Sequence, residues 1–193
     1  MSNKITRRTA VAGCLGTLAT AGLCKPPSLP SKPTLQPIPF VEVARSPICV
    51  FTKPFNSISF EALADQIAAL GFDGIEAPIR KGGHIEPSQV SDKLPQLVEI
   101  LAKRNLKITI LTSDINDASD PVSQNVLKVA SSLGIQRYRM KYLKYDLDQS
   151  VTKQLNNWRP QLLDLAAVNR ELGITAVYQN HAGNNTFGAP LWD

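Results

Sequence analysis

The sequence predicts an α/β protein in which about five strands alternate with four helices. Short apolar runs typical of strands are each followed by a longer segment whose apolar residues recur every three to four positions, as in helices. Glycine closes three of the predicted helices immediately before the next strand, at positions 71, 134 and 173. This alternation favours a single parallel sheet with right-handed crossovers.

The first two strand–helix units are expected between residues 48 and 104. The first strand covers 48–51 and places Cys49 inside the protein. Ser59 then caps a helix that ends at Gly71, and the second strand covers 72–77. The second helix covers 90–104 and stops at Asn105. The apolar residues expected to line the buried sides of these two helices are Leu63, Ile67 and Leu70, then Leu94, Leu97, Val98 and Leu101.

The remaining units follow the same rhythm. The third strand is expected at 106–111, and Asp120 caps a helix over 121–133. The fourth strand covers 135–140, and the clearest part of the fourth helix covers 158–172. The fifth strand covers 174–178, and residues 190–193 resemble the entry to another helix.

Two architectures satisfy this alternation. A closed barrel of eight units needs about 250 residues, whereas about 150 follow Pro47. A doubly wound sheet needs only five strands, but no Gly-x-Gly-x-x-Gly follows the first strand, so nothing supports a dinucleotide site. We favour a partial (β/α)8 TIM barrel over residues 47–193.

The first 24 residues have the features of an export signal. Arg7 and Arg8 precede an uncharged run, residues 11–24, that is too short to span a bilayer. This arrangement resembles a twin-arginine signal with cleavage near Ala21, and it predicts an exported, periplasmic protein without a stable membrane span. A short N-terminal anchor is the alternative. Residues 25–46 are expected to form a linker, since six prolines fall between positions 25 and 39.

Charge and cysteine content argue against two kinds of site. The chain has a net charge of +5, but three of the positive charges belong to the export signal. The mature protein therefore lacks the basic surface that nucleic-acid binding requires. The three cysteines show no metal-type spacing, and Cys14 would leave with the signal. We expect no nucleic-acid partner and no structural disulfide.

Both histidines lie just beyond predicted strands, at the edge where parallel α/β sheets assemble their sites. His84 follows two glycines that let a ligand approach the backbone closely. His181 follows Gln179 and Asn180 after the fifth strand. The alternative for each histidine is a loop residue whose ring is satisfied by backbone groups or water.

Charged residues lie at two further strand ends. Glu76 ends the second strand, where it can orient a sugar hydroxyl or support a metal ligand. A purely structural pairing with the basic residues of the following loop is equally consistent. Arg139 shares one face of the fourth strand with Arg137 and Lys141. If that face points into the barrel, Arg139 reaches an anionic ligand; otherwise these side chains pack against the helix layer.

Four segments carry a family resemblance. They are Gly71-Phe72-Asp73-Gly74-Ile75-Glu76, Gly82-Gly83-His84, Tyr138-Arg139-Met140 and Tyr178-Gln179-Asn180-His181-Ala182-Gly183. In order and spacing they resemble sugar phosphate isomerase/epimerase proteins of the xylose isomerase-like TIM-barrel superfamily. The resemblance implies a sugar or sugar phosphate ligand and a divalent metal ion, Mn, Mg, Co or Zn. It also implies metal-assisted proton transfer between neighbouring carbons of a ketose or aldose.

The resemblance implies metal ligation by Gln179 and His181, with Glu76, His84, Arg139 and Asn180 binding substrate. Gln179 stands where family members commonly present a glutamate, and a neutral amide binds a divalent cation more weakly and cannot act as a base. The family's remaining ligands come from later strands, which this sequence does not contain. We therefore expect an incomplete metal site and assign no catalytic residue.

Two alternatives to an isomerase or epimerase remain at this point. A non-catalytic, exported carbohydrate-binding or scaffold barrel is compatible with the amide at position 179. A metal-dependent endonuclease of the same superfamily is disfavoured, because a nuclease needs a basic face that follows the phosphate backbone. An open parallel edge at the fifth strand would favour association into oligomers.

Overall fold

Strands and helices alternate throughout residues 45–188, which a computed structural model describes. They are β1 (Cys49–Phe51), α1 (Phe60–Ala69), β2 (Gly74–Ile79), α2 (Val90–Ala102), β3 (Lys107–Ser113), α3 (Pro121–Ser132), β4 (Arg137–Arg139), α4 (Val151–Leu172) and β5 (Thr175–Val177). Short 3-10 helices cover Lys53–Phe55 and Pro87–Gln89. The predicted alternation of strands and helices is confirmed. The predicted export signal, nearly all of the linker and the helix-like end at 190–193 lie outside the described residues.

The five strands form one parallel sheet in the order β1-β2-β3-β4-β5. Strands that follow one another in sequence are therefore neighbours in the sheet. Right-handed crossovers between such strands place every connecting helix on the same side of the sheet. A doubly wound sheet instead reverses its strand order at a switch point. The sequential order is that of consecutive units in a TIM barrel.

The hydrophobic core fills the layer between the helices and the sheet. The side chains of Leu63, Ile67, Leu94, Leu97 and Leu101 are at most 1% exposed, as predicted from their helical spacing. Leu70 differs, because 65% of its surface is exposed. Helix α1 ends at Ala69, and the chain then turns through Gly71 (φ +76°), so Leu70 no longer lies on the core side.

The predicted helix ends are confirmed where a specific residue caps them. The Ser59 side chain accepts from the amide of Ala62, and Asp120 accepts from the first amides of α3. Asn105 (φ +58°) and Gly173 (φ +63°) adopt the left-handed conformation that turns the chain from a helix into the next strand.

An extra residue on β3 alters the register between β2 and β3. Ile75 pairs with Ile108 but Glu76 pairs with Ile110, so Thr109 is left over. The Thr109 hydroxyl donates to the Ile75 carbonyl oxygen at 3.0 Å. Ile108 and Leu111 consequently both pack against the core although they are three positions apart. Thr112 faces the opposite side of the sheet.

Several boundaries and a second burial prediction were wrong. β2 and β3 each lie one to two residues later than expected, and α4 begins at Val151, seven residues before the part that the sequence predicted most clearly. Cys49 is exposed rather than buried. The reason is that β1 pairs only with β2 among the described strands, so one of its edges is uncovered. None of the described helices is long and apolar enough to cross a membrane.

Candidate functional site

Polar side chains gather on the inner face of the sheet, near the carboxyl ends of the strands. Ile75 and Tyr138 are fully buried on the helix side. Their neighbours Glu76 and Arg139 therefore point to the opposite side, because successive residues of a strand alternate between faces. Thr112 is the register partner of Arg139 and shares its face. Carboxyl ends of parallel strands are where barrels of this kind assemble their sites.

Arg139 connects the side chains of this face. Its Nε lies 3.3 Å from Glu76 Oε1, and its Nη2 donates to Thr112 Oγ1 at 3.2 Å. Its Nη1 donates to Gln179 Oε1. The Thr112 hydroxyl in turn donates to Glu76 Oε1. We call Arg139, Glu76, Thr112 and Gln179 the Arg139 cluster.

The guanidinium of Arg139 is partly shielded from water. Its side chain is 13% exposed and that of Glu76 is 20% exposed. The guanidinium carbon lies 5.1 Å from the ring centroid of Phe51, which adds a cation–π contact. A partly buried ion pair with several hydrogen bonds is held in one geometry, whereas an exposed pair is not.

Tyr142 extends the Arg139 cluster towards His181. The Tyr142 hydroxyl donates to Gln179 Oε1 at 2.8 Å, and the His181 ring stacks edge-on against Tyr142 with centroids 4.9 Å apart. His181 itself is exposed, and its Nδ1 lies 2.8 Å from the carbonyl oxygen of Ala182. Asn180 is exposed in the same loop. Of the predicted residues in the last loop, Gln179 therefore contacts Arg139 directly, and His181 is linked to it through Tyr142.

His84 has different neighbours. Its Nε2 lies 2.9 Å from the Ile58 carbonyl oxygen, and its ring packs edge-on against Phe60. A carbonyl oxygen only accepts, so Nε2 carries the proton. The preceding Gly83 lies so close to the Pro78 carbonyl oxygen that a Cβ atom there would be 2.5 Å from it. His84 contacts the start of α1, and its described contacts do not include the Arg139 cluster.

Three residues of the site were not anticipated from the sequence. Thr112 was placed beyond the predicted end of the third strand, because the extra residue at Thr109 gives no signal in the hydrophobic pattern. Tyr142 lies in a loop, and Phe51 looked like an ordinary core residue of the first strand. A threonine next to a predicted strand end is a weak signal that could have identified Thr112.

On the helix side of β4, Tyr138 secures the strand that carries Arg139. Its hydroxyl donates to Asn169 Oδ1 of α4 at 3.1 Å. Burial raises the pKa of Tyr138 to about 12. The phenol therefore stays protonated and keeps donating throughout the neutral range.

The two predicted metal ligands do not fit a divalent cation as placed. Gln179 Oε1 already accepts from Arg139 and Tyr142, and a guanidinium beside it repels a second cation. No group of three or more His, Cys, Asp or Glu side chains within residues 45–188 is arranged to hold a metal ion. The Arg139 cluster instead presents a fixed positive charge and hydroxyl and carboxylate oxygens.

Comparison with solved structures identifies the architecture. The chain matches the probable 3-DHS dehydratase AsbF from Bacillus anthracis with a TM-score of 0.55 at 12% identity, covering 72% of this chain and 53% of that one. A xylose isomerase domain protein from Alicyclobacillus acidocaldarius gives a TM-score of 0.53 at 12% identity, with 72% and 51% covered. The described residues have the fold of part of a TIM barrel. It spans about half the length of these structures.

Further solved structures extend this comparison. The protein IolI, solved with a bound zinc atom, matches with a TM-score of 0.51 at 16% identity, covering 69% of this chain and 51% of that one. The matches also include sugar epimerases. No protein-family model matches the chain, and a search of curated protein sequences gave no match. At these identities the structural neighbours support the fold alone, that of part of a TIM barrel.

Proposed function

We propose that the Arg139 cluster binds a sugar or sugar phosphate, as the substrate site of an isomerase- or epimerase-type protein. The observation that carries the proposal is the position of Arg139. It joins side chains from β2, β3 and the loop after β5 at the carboxyl ends of the strands. The sugar epimerases among the structural neighbours support the same class of ligand.

The chemistry of the cluster suits a polyhydroxyl ligand that carries a carbonyl group. Glu76 and Gln179 offer oxygen acceptors for sugar hydroxyls, and Thr112 both donates and accepts. Arg139 can donate to a carbonyl or anionic oxygen, since a guanidinium presents five N–H groups. The metal-assisted step that the resemblance implies is not part of this proposal. The Arg139 guanidinium already occupies the position beside Gln179 Oε1 that a metal ion would need.

The test is ligand binding by the full chain and by two arginine variants. Ketoses, aldoses and their phosphates are titrated calorimetrically into the wild type, R139Q and R137Q. We expect R139Q to weaken binding about 10-fold or more, since a lost charged hydrogen bond costs about 1.5–3 kcal/mol. R137Q is the matched control, because Arg137 lies on the same strand but is exposed. Equal affinities for R139Q and wild type would contradict the proposal.

A second candidate is a carbohydrate-binding protein without catalysis. The observation that favours it is the amide of Gln179, which cannot act as a base and is held by Arg139 and Tyr142. Incubating ligand with protein in D2O separates the two candidates. Proton transfer between neighbouring carbons would incorporate deuterium into the sugar, as seen by NMR, whereas simple binding would not.

We also propose that the protein is exported to the periplasm through its twin-arginine-type segment. The basis is the sequence Thr6-Arg7-Arg8-Thr9-Ala10 before an uncharged run, which lies outside the described residues. Cell fractionation of the wild type and of the R7K/R8K double variant tests this. We expect the double variant to remain in the cytoplasm, and equal export of both proteins would contradict the proposal.

A further inference from the structure

The loops that follow β4 and β5 pair with each other. Residues 143–145 and 185–187 run antiparallel, and their backbones form two hydrogen bonds of 2.8 and 3.1 Å. We call these two segments the loop ribbon. Leu143 is 7% exposed and Thr186 is 1% exposed, although both lie outside the helices and strands. Backbone groups at such buried positions need partners, so the pairing fixes the two loops to each other.

Tyr178 directly follows β5 and contacts both segments of the loop ribbon. Its hydroxyl oxygen accepts from the Leu143 amide at 3.2 Å. Its ring packs edge-on against Phe187, with centroids 5.1 Å apart. The same ring packs edge-on against Tyr142, with centroids 6.1 Å apart. One side chain therefore holds both the peptide that follows Tyr142 and the ring of Tyr142.

Tyr142 makes the contact with the Arg139 cluster. Its hydroxyl donates to Gln179 Oε1 at 2.8 Å, and the same oxygen accepts from Arg139. Gln179 is exposed, so these hydrogen bonds rather than burial orient its amide. A side chain that is to contact a ligand in one geometry has to be held by the residues behind it.

We infer that Tyr178 is a positioning residue of the proposed sugar site. It holds Tyr142 so that the Tyr142 hydroxyl orients the amide of Gln179 beside Arg139. The inference rests on the proposed function and adds a residue that acts through Tyr142 rather than through contact with the ligand. Loss of the Tyr178 hydroxyl leaves the Leu143 amide without this acceptor, which loosens the loop that carries Tyr142.

The first measurement needs no ligand, because the two histidines of the chain report on separate places. The His181 ring packs edge-on against Tyr142, whereas His84 contacts the start of α1. In Y178F we expect the ring-proton NMR signals of His181 to shift and those of His84 to remain. Y138F is the matched control, since it removes a tyrosine hydroxyl that bonds to α4 on the helix side of the sheet. Neither histidine should respond to Y138F.

The second measurement is a double-mutant cycle on affinity, with the full chain. The probe is D-fructose, or the sugar of the calorimetric panel that binds the wild type most tightly if D-fructose does not bind. We expect Y178F and Y142F each to weaken binding about 5-fold. The double variant should bind no more weakly than either single variant, because Tyr178 has no route to the site once the Tyr142 hydroxyl is gone.

The outcomes separate this inference from the proposed function. A His181 signal that is unchanged in Y178F, or that shifts equally in Y138F, would overturn the inference. Additive effects of Y178F and Y142F on affinity would also overturn it, since Tyr178 would then act on the site by another route than Tyr142. A shift of His181 in Y178F alone, together with no binding of any sugar in the panel, would support the positioning of Tyr142 and contradict the proposed function.

Discussion

At the scale of single residues, Arg139 differs from the other paired cations because its ion pair is shielded. The Lys103–Glu99 pair on α2 leaves 64% and 70% of its side chains exposed, whereas Arg139 and Glu76 leave 13% and 20%. Exposed pairs contribute about 0–1 kcal/mol. Removing one partner of a shielded pair leaves the other charge without compensation, so both residues matter to the site in the absence of ligand.

The sequence predicted much of this site because strand ends mark it. Glu76, Arg139 and Gln179 each follow or end a run of apolar residues, and a parallel sheet brings such positions to one edge. His84 satisfied the same rule but turns to contact Ile58, because tight packing of the adjacent glycine directs the loop. Contacts of that kind depend on tertiary structure and leave no pattern in the sequence.

The Tyr138 hydroxyl is expected to contribute measurably to stability. Y138F leaves the nearly buried Asn169 Oδ1 without its donor, so we expect a loss of about 1 kcal/mol in urea unfolding at pH 7. Y142F is the control, because its hydroxyl contacts the exposed Gln179. Equal stability of Y138F and wild type would contradict the assignment.

The same tyrosine predicts alkaline behaviour. The pKa of Tyr138 is about 12 in the folded protein against 10.0 for an unperturbed tyrosine, chiefly because burial disfavours the phenolate. The folded state therefore holds the proton more tightly. Its contribution is fully present below pH 10 and is lost as the pH rises towards 12. Unfolding free energies measured between pH 9 and 11.5 should fall less steeply for Y138F than for wild type; parallel curves would contradict this.

At the scale of elements, helix ends marked by a capping residue were predicted more closely than strand ends, which differ from the prediction by up to two residues. Ser59, Asp120, Asn105 and Gly173 each satisfy a backbone requirement of one helix end, so the residue type alone identifies the boundary. Strand limits depend on which neighbouring strand supplies hydrogen bonds. β4 has only three residues because its partners β3 and β5 pair with it over a short stretch.

Asp120 is expected to stabilise α3 in a pH-dependent way. Hydrogen bonds from the Ser123 side chain and then its amide lower the pKa of Asp120. The lowered pKa means that its contribution is present above pH 4 and is lost as the pH falls below that value. D120A should therefore lower the melting temperature by a few degrees at pH 7 and by less at pH 3. D148A, which alters an exposed loop residue, is the comparison. A pH-independent difference would contradict the capping role.

Two glycines allow steric crowding to be separated from backbone conformation. A Cβ atom at Gly74 would overlap the Lys107 carbonyl oxygen of β3, whereas one at Gly134 would meet nothing within 4 Å. Gly134 instead requires a positive φ of +76°. We expect G74A to cost about 3 kcal/mol and G134A about 1 kcal/mol in urea unfolding. The reverse order would contradict the packing of β2 against β3.

At the scale of the whole molecule, the sequential strand order follows from the alternation that the sequence shows. Local apolar periodicity and glycine caps were enough to predict one parallel sheet, because short connections favour neighbouring strands. They could not identify which side chains would share the inner face. That depends on the register of β2 and β3, which is set by long-range hydrogen bonds.

The uncovered edge of the sheet can be tested through Cys49. This thiol is exposed on β1, which pairs only with β2 among the described strands. We expect iodoacetamide to modify Cys49 in the native protein within minutes, as mapped by mass spectrometry, with C49S confirming the assignment. Protection until urea is added would show that another strand or a partner covers this edge.

The extra residue at Thr109 exchanges the two faces of β3 for all the residues that follow it. Before Thr109 an even-numbered residue, Ile108, faces the helices, whereas after it an odd-numbered residue, Leu111, does so. Because of this exchange, the side chain of Thr112, rather than that of Leu111, contacts Arg139. If β3 paired regularly from Ile108 onward, Leu111 would lie on the inner face and Thr112 on the helix side, so the extra residue constrains the site as strictly as the identity of its side chains.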